Sequence, residues 1–140
     1  MNDAMKLRIT LPRVPDIELV AIEGLNRLSR HMGISEEKIG EARILVTEAI
    51  INALEHAGSS NPSVEVEFTM TMTKEKLMIF VQDYGKGFEP SSVEDPQIGE
   101  KIGSASKRGW GLKLMKTMSD DFKIESGKDG TRITLTKKLT

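Results

Sequence analysis

Three short stretches carry side chains whose types and spacing could do chemistry. In the first, LVTEAIINALEHA, the residues Glu48, Asn52 and His56 follow one another at four-residue intervals. Such steps drift by about 40° around a helix of 3.6 residues per turn, so Glu48 and Asn52 share a face and His56 lies at its edge. A carboxylate among these apolar neighbours is partly buried and needs a partner or a proton. Taken alone, the stretch also fits an amphipathic helix with a solvated flank, in which His56 caps or packs.

The second stretch, DYGKGF, places an acid at the end of an apolar run. Asp83 is followed by Gly85 and Gly87. Glycines permit a tight turn and let a ligand approach the backbone closely. An ordinary turn that ends a strand is the competing interpretation of this stretch.

The third stretch, KRGWGLKLM, has Gly109 and Gly111 leading directly into a helical pattern. Free backbone N–H groups and the positive end of a helix make an anion site, and Lys107 and Arg108 add positive charge there. A glycine-rich helix start that only reverses the chain explains the same residues. The dinucleotide fingerprint is excluded because its strand context and third glycine are absent, and the sequence has no P-loop motif.

A small set of helices and strands must position these stretches. Alternating or continuous apolar residues predict five strands, at Lys6–Pro12, Ser63–Thr73, Leu77–Asp83, Phe122–Ser126 and Thr131–Leu139. Apolar residues at helical spacing predict three helices, from Asp16 as N-cap to Gly33, from near Ser35 to about Ala57, and from Trp110 to Asp121. The order predicts one α+β domain over residues 1–140, a two-layer sandwich with helices on one face of a mixed or antiparallel sheet.

Two connections differ in character. GKDG, residues 127–130, predicts a hairpin turn between the last two strands. The stretch from Tyr84 to Arg108 has few aliphatic residues and several Gly, Pro and Ser residues, which predicts a long loop. Structureless loops of more than about 15 residues inside a compact domain are usually functional or mobile.

Composition excludes several classes of function. The chain has 140 residues, a net charge of -1 and no Cys. Disulfides, thiol nucleophiles and Cys-based zinc sites are therefore excluded. Lys and Arg are spread along the chain rather than gathered in a stripe, which argues against a nucleic-acid surface. No segment has the length of a membrane span and the start does not resemble a signal peptide, so we expect no membrane partner and a cytoplasmic location.

Taken in order, the three stretches and the closing GKDGT resemble the N, G1 and G2 boxes of the GHKL ATPases, the superfamily of gyrase, histidine kinases and mismatch-repair ATPases. The closest resemblance is to the bacterial anti-sigma factor serine/threonine kinases, small stand-alone domains. Their N-box helix runs E-A-x-x-x-x-x-E-A-x-x-N-A-x-x-H, and here it reads EARILVTEAIINALEH. Histidine kinases need an upstream dimerisation helix with a phosphoacceptor His, and the other members carry further domains, so they match less well. The resemblance covers nearly the whole chain and implies a Bergerat-type ATP-binding fold.

The resemblance also implies a role for each matching residue. Asn52 would hold Mg²⁺ against the triphosphate of ATP, which suits a metal that takes few protein ligands. Glu48 would act as the general base that accepts the proton of the attacking hydroxyl. Asp83 would accept a hydrogen bond from the adenine amino group, above a turn formed by Gly85 and Gly87.

The remaining implied contacts involve the phosphates and the far side of the adenine. Arg108 would contact the γ-phosphate, Thr131 would lie near the adenine-binding acid, and residues 89–108 would form the ATP lid. The phosphate cradle would use the backbone of Gly109, Trp110, Gly111 and Leu112. Trp110 departs from the family, where a smaller or aliphatic residue is common between the two glycines. We leave His56 with a structural role.

The implied activity is ATP-dependent phosphorylation of a serine or threonine on a STAS-domain anti-sigma factor antagonist. Many such kinases also bind a sigma factor and hold it from RNA polymerase, and a homodimer is implied by the family only. Two alternatives stay open: a switch kinase that does not itself bind sigma, and a module that holds ATP without turnover. Glu48 argues against the second, since a module without turnover has little need of a general base.

Overall fold

One antiparallel sheet and three helices make up the part of the chain that the structure, a computed structural model, describes: residues 4–56, 65–85 and 107–140, with the backbone alone at 56 and 107–109. The strands are β1 (Met5–Leu11), β2 (Val66–Met72), β3 (Lys76–Asp83), β4 (Asp121–Gly127) and β5 (Gly130–Lys138). The helices are α1 (Glu18–Met32), α2 (Glu36–His56) and α3 (Lys107–Met118). The predicted elements are all present, with ends that differ by a few residues.

The sheet order places the last strand beside the strand that carries the predicted adenine contact. The order is β1-β2-β3-β5-β4, and each neighbouring pair is antiparallel. β5 therefore lies between β3 and β4, and Asp83 faces Thr131 across the ladder. The predicted α+β sandwich is confirmed, and its sheet is antiparallel rather than mixed. β1 and β4 are the edge strands of this sheet, and the homodimer that the family resemblance implies stays a prediction.

The core lies between the three helices and one face of the sheet. Alternate residues of β2 point into it, so Val66, Phe68 and Met70 are fully buried while Glu67 between them is exposed. α2 fills the middle of the layer with a run of apolar side chains that includes Leu45, Val46, Ala49 and Ile50, all fully buried. Full burial of one large aliphatic or aromatic side chain contributes about 1.5–3 kcal/mol. This packing holds α2 rigidly against the sheet.

The two ends of α1 had different outcomes. Gly33 was predicted to end the helix, and it does so with φ 71°, while the Ile34 N–H donates to the Ser29 carbonyl at 3.0 Å. The N-cap prediction for Asp16 is wrong. The N-cap is Ile17, which makes no side-chain capping bond, and Asp16 stands one residue earlier with φ 62°. Backbone bonds from Leu19 to Asp16 and from Val20 to Ile17 start the helix instead, and Asp tolerates the left-handed region better than most residues.

The start of α3 also differs from the prediction. The helix begins at Lys107, so the predicted loop does not extend to Arg108, and Gly109 and Gly111 lie inside the first turns rather than before them. The apolar spacing that predicted this helix begins only at Trp110, so it could not indicate the earlier start. Residues 86–106, which include Gly87 and most of the predicted lid, lie outside the described residues. No described helix is both long enough and apolar enough to cross a membrane.

Candidate functional site

α2 presents Glu48 and Asn52 at the edge of the core. Asn52 is 4% exposed, and its Oδ1 is buried and makes no hydrogen bond to any described residue. A buried amide oxygen without a partner costs about 1–3 kcal/mol, so native proteins rarely keep one without a use. Glu48, one turn earlier, is half-buried. The predicted pairing of these two side chains on one face of a helix is confirmed.

α3 approaches this face of α2 through a glycine. A Cβ built on Gly111 would lie 3.3 Å from Glu48 Oε2 and 3.6 Å from Asn52 Nδ2. Gly111 itself is buried. A side chain at this position would therefore press on the carboxylate and touch the amide. The tertiary structure brings three of the sequence-predicted site residues, from two separate stretches, to one point.

A second cluster forms where β3 ends. Asp83 is 3% exposed, and its Oδ1 accepts hydrogen bonds from the N–H groups of Gly85, at 3.1 Å, and Thr131, at 3.2 Å. Two backbone donors on one oxygen hold the carboxylate in a single orientation. Thr131, also 3% exposed, lies beside the acid through this hydrogen bond and across the β3–β5 ladder. The roles of these residues towards a nucleotide stay predictions.

Two residues of this cluster were missed in the sequence. Gly130 has φ 116°, and a Cβ there would lie 2.1 Å from the carbonyl oxygen of Asp83, an impossible contact. The Asp-Gly pair in the hairpin turn was the available signal, because such turns need positive φ. Ser126 on β4 shares a 2.7 Å hydrogen bond with the Thr131 hydroxyl, and nothing in its local sequence indicates that contact.

A polar chain braces the same strand end. Gln82, 8% exposed, donates from Nε2 to the carbonyls of Asp83 at 2.7 Å and Thr131 at 3.4 Å. Its Oε1 accepts from Arg132 Nε at 2.9 Å, and the guanidinium lies 5.6 Å from the ring centre of Phe80. The amide of Gln82 thus ties the backbones of β3 and β5 together at the residues that hold the buried acid.

Tyr84 follows the buried acid and is exposed. Its pKa is raised, first because the phenol shares a hydrogen bond with Glu67 on β2, and then because of partial burial and the negative charge of that neighbour. The phenol therefore stays neutral and serves as a donor to the carboxylate.

The other predicted phosphate contacts lie along the start of α3. Arg108 and Gly109 are described by backbone alone, within the first turn of the helix. Trp110 is half-buried, and its indole Nε1 is buried without a hydrogen-bond partner among the described residues. Leu112 is half-buried and packs against the core. His56 is the last described residue of α2, and its side chain lies outside the description.

The described residues suit a metal ion that is coordinated mainly by water and by the phosphates of a bound nucleotide. They contain no group of three or more His, Cys, Asp or Glu side chains that could hold an ion. A protein-only cage is therefore absent from this part of the chain. Mg²⁺ commonly takes one or two protein oxygens and completes its octahedron with water and phosphate oxygens. The unpartnered Oδ1 of Asn52 fits that requirement.

Comparison with known proteins identifies the family. Residues 15–137 match the histidine kinase-like ATPase domain. The chain belongs to this family. Membership implies that the chain binds ATP, which agrees with the resemblance of the three ordered stretches to ATPase motifs.

Similar curated proteins share one name. The serine-protein kinase RsbW of Oceanobacillus iheyensis is 28% identical over 131 residues, which cover 90% of this chain and 82% of that protein. The protein of the same name from Listeria monocytogenes serotype 4a is 27% identical over 138 residues, 96% of this chain and 87% of that protein. The one from Bacillus subtilis is 25% identical over 143 residues, 99% of this chain and 88% of that protein.

Solved structures show the same fold. A crystal structure of the RsbU and RsbW domains of a Mycobacterium tuberculosis protein aligns with a TM-score of 0.66 and 20% identity, over 96% of this chain and 32% of that longer one. The mycobacterial sensor histidine kinase MprB aligns with a TM-score of 0.54 and 13% identity, over 96% of this chain and 97% of that one. The fold is therefore common to proteins with little sequence in common.

Proposed function

We propose that this protein is an ATP-dependent serine/threonine-protein kinase of a partner-switching system. The contact that carries the proposal is the approach of Gly111 to Glu48 and Asn52. It brings the carboxylate of Glu48 and the amide of Asn52, whose Oδ1 has no hydrogen-bond partner among the described residues, to the start of the helix that carries the glycine-rich stretch. Membership in the ATPase family and the shared name of the curated relatives support the same activity.

The proposed reaction is a direct phosphoryl transfer. The Glu48 carboxylate accepts the proton of the acceptor hydroxyl as that oxygen bonds to the γ-phosphorus of ATP. The bond between the γ-phosphorus and the bridging oxygen breaks, and ADP leaves with the bonding electrons. Asp83, held by two backbone N–H groups, accepts a hydrogen bond from the adenine amino group and so orients the nucleotide.

The phosphate end is assigned to α3 and to Asn52. Backbone N–H groups at the start of α3 and the guanidinium of Arg108 would bind phosphate oxygens. Asn52 Oδ1 would be the protein ligand of Mg²⁺, which neutralises phosphate charge when bound. Asn52→Ala should therefore reduce the gain in ATP affinity that Mg²⁺ provides. Calorimetric titration with and without Mg²⁺ measures it, and an unchanged gain would remove the amide from the metal site.

The proposed acceptor is a serine or threonine on a STAS-domain anti-sigma factor antagonist. We further propose that the chain holds a sigma factor and exchanges it for the antagonist. A pull-down from the native cell, with and without ATP, tests this second part. Retention of a sigma factor supports it, whereas retention of the STAS protein alone favours a switch kinase that does not bind sigma.

The decisive test of the kinase assignment is Glu48→Gln, which removes the base and keeps the shape of the side chain. General-base catalysis contributes about 100- to 10,000-fold, so the rate of transfer to a STAS acceptor should fall at least 100-fold. The dissociation constant for ATP should change less than threefold. Radiolabelled ATP and calorimetry measure the two quantities.

A matched control lies on the same helix. Glu37→Gln makes the same chemical change in the exposed first turn of α2, and it should leave the transfer rate unchanged. Full transfer by Glu48→Gln would exclude the general-base role. ATP binding by the wild type without transfer to any STAS acceptor would favour a module without turnover.

A further inference from the structure

Lys137 lies at the opposite end of β5 from the cluster around Asp83 and connects three elements. Its side chain is 13% exposed, and its Nζ lies 2.7 Å from Glu41 Oε2 on α2. The same Nζ donates to the carbonyl oxygen of Met118, the last residue of α3, at 3.0 Å. We name the contacts of Lys137 with Glu41 and Met118 the lysine clasp. The clasp ties the C-terminal end of α3 to both α2 and the sheet.

The surroundings explain why a nearly buried lysine is stable at this position. Lysine is rarely buried unless it is paired, and here a carboxylate supplies the pair. A cation at a helix C-terminus also satisfies a free carbonyl and complements the helix dipole. The pKa of Glu41 is lowered, first by its hydrogen bond to Lys137 and then by the charge of that lysine; Lys38 lowers it further, while burial and Asp120 oppose the shift.

The clasp and the candidate active site lie at two ends of one helix–helix contact. Glu41 precedes Glu48 by seven residues, which places both on the same face of α2. Met118 follows Gly111 by seven residues, or about 10 Å along α3. Met115, between them, is fully buried. The clasp thus fixes one end of α3 on α2, and the glycine meets the carboxylate at the other end.

We propose that Lys137, through Glu41 and Met118, is a positioning residue for phosphoryl transfer. It sets the distance and angle between α3 and α2, and hence between the phosphate-binding helix start and Glu48. This inference rests on the proposed kinase function. A misplacement of 1 Å can reduce a rate about 100-fold, so a small rotation of α3 is enough to affect the chemistry.

Lys137→Met tests the proposal because it keeps the aliphatic stem and removes both clasp contacts. We expect kcat for transfer to a STAS acceptor to fall at least tenfold while the KM for ATP changes less than threefold, because the adenine is held by β3 rather than α3. Lys137→Arg retains the charge and the donors, so it should restore most of kcat. A residue that only stabilises the fold would not produce this split between kcat and KM in the folded variant.

A spectroscopic signal reports on α3 without any acceptor protein. Trp110 is the only tryptophan of the chain and lies in α3. Its emission should shift in Lys137→Met and return in Lys137→Arg. Glu36→Gln is the matched control, because Glu36 is exposed and its ion pair, with Arg43 at 2.6 Å, joins two residues of α2 itself. Neither emission nor kcat should change in this control.

The outcomes separate the two proposals. An unchanged kcat in folded Lys137→Met would overturn the positioning role. If the wild type transfers no phosphate, the kinase proposal fails. Independently of that result, an unchanged Trp110 emission in Lys137→Met would overturn the role of the clasp in holding α3. If Lys137→Met does not fold, Glu41→Gln replaces it. That variant keeps the Met118 contact and should lower kcat about threefold, and a wild-type kcat would overturn the proposal.

Discussion

Gly111→Ala should improve the helix and impair the enzyme. Alanine is favoured over glycine in a helix by up to about 1 kcal/mol, so the free energy of unfolding should stay level or rise. The new Cβ would lie 3.3 Å from Glu48 Oε2, which forces the carboxylate to yield by a few tenths of an ångström. Since 1 Å of misplacement reduces a rate about 100-fold, a few tenths predicts a roughly three- to tenfold fall in kcat.

The assay pairs urea unfolding with phosphate transfer from radiolabelled ATP to a STAS acceptor. Gly40→Ala is the control, because Gly40 also lies in a helix and has nothing within 4 Å of its added Cβ. It should gain stability and keep full activity. The reasoning fails if Gly111→Ala transfers phosphate as fast as Gly40→Ala. It also fails if Gly111→Ala is the less stable of the two by more than about 1 kcal/mol, since the carboxylate would then be held rigidly.

Three further predictions concern the strand ends. Asp83→Asn retains an acceptor for the two backbone N–H groups and removes the charge, so the melting temperature should hold while ATP affinity falls about 10- to 100-fold. Titration with ATP and with GTP measures both affinities, and an unchanged preference for ATP over GTP would refute the adenine role. Gly130→Ala should lose at least about 2 kcal/mol of stability in urea, from its positive φ and the overlap with a backbone carbonyl, whereas Gly127→Ala, which meets nothing within 4 Å, should lose little. Lys137 lowers the pKa of Glu41 below 4.5, so the ion pair stabilises the fold above that pH. The difference in free energy of unfolding between wild type and Glu41→Gln should therefore vanish as the pH falls through the lowered pKa. A difference that persists in acid would contradict this prediction.

Local pattern was sufficient to predict the helices and strands, whereas the list of candidate residues came from the resemblance of the three ordered stretches to a known family. Period-two alternation in β2 and helical spacing in α2 are properties of contiguous residues, so the strand and the helix could be predicted from them. Gly33 likewise ended α1 as predicted, because a left-handed residue after a helix favours glycine over every other type. The prediction that Asp16 caps α1 was wrong, because capping depends on the path of the chain after Pro15, which local residue type does not determine.

What only the tertiary structure decided are the distances between elements. The sequence determined that Glu48 and Asn52 share a helix face and that a glycine-rich stretch begins α3. It did not determine that Gly111 approaches that face so closely that an added Cβ would touch it, or that Gly130 lies against the backbone of Asp83. Nor did it determine that Lys137 spans from α2 to the end of α3. These contacts join residues far apart in the chain, and they follow from sheet order and helix packing, to which the whole core contributes. The residue types indicate which reaction is possible, whereas the distances between side chains that this reaction requires follow from the fold.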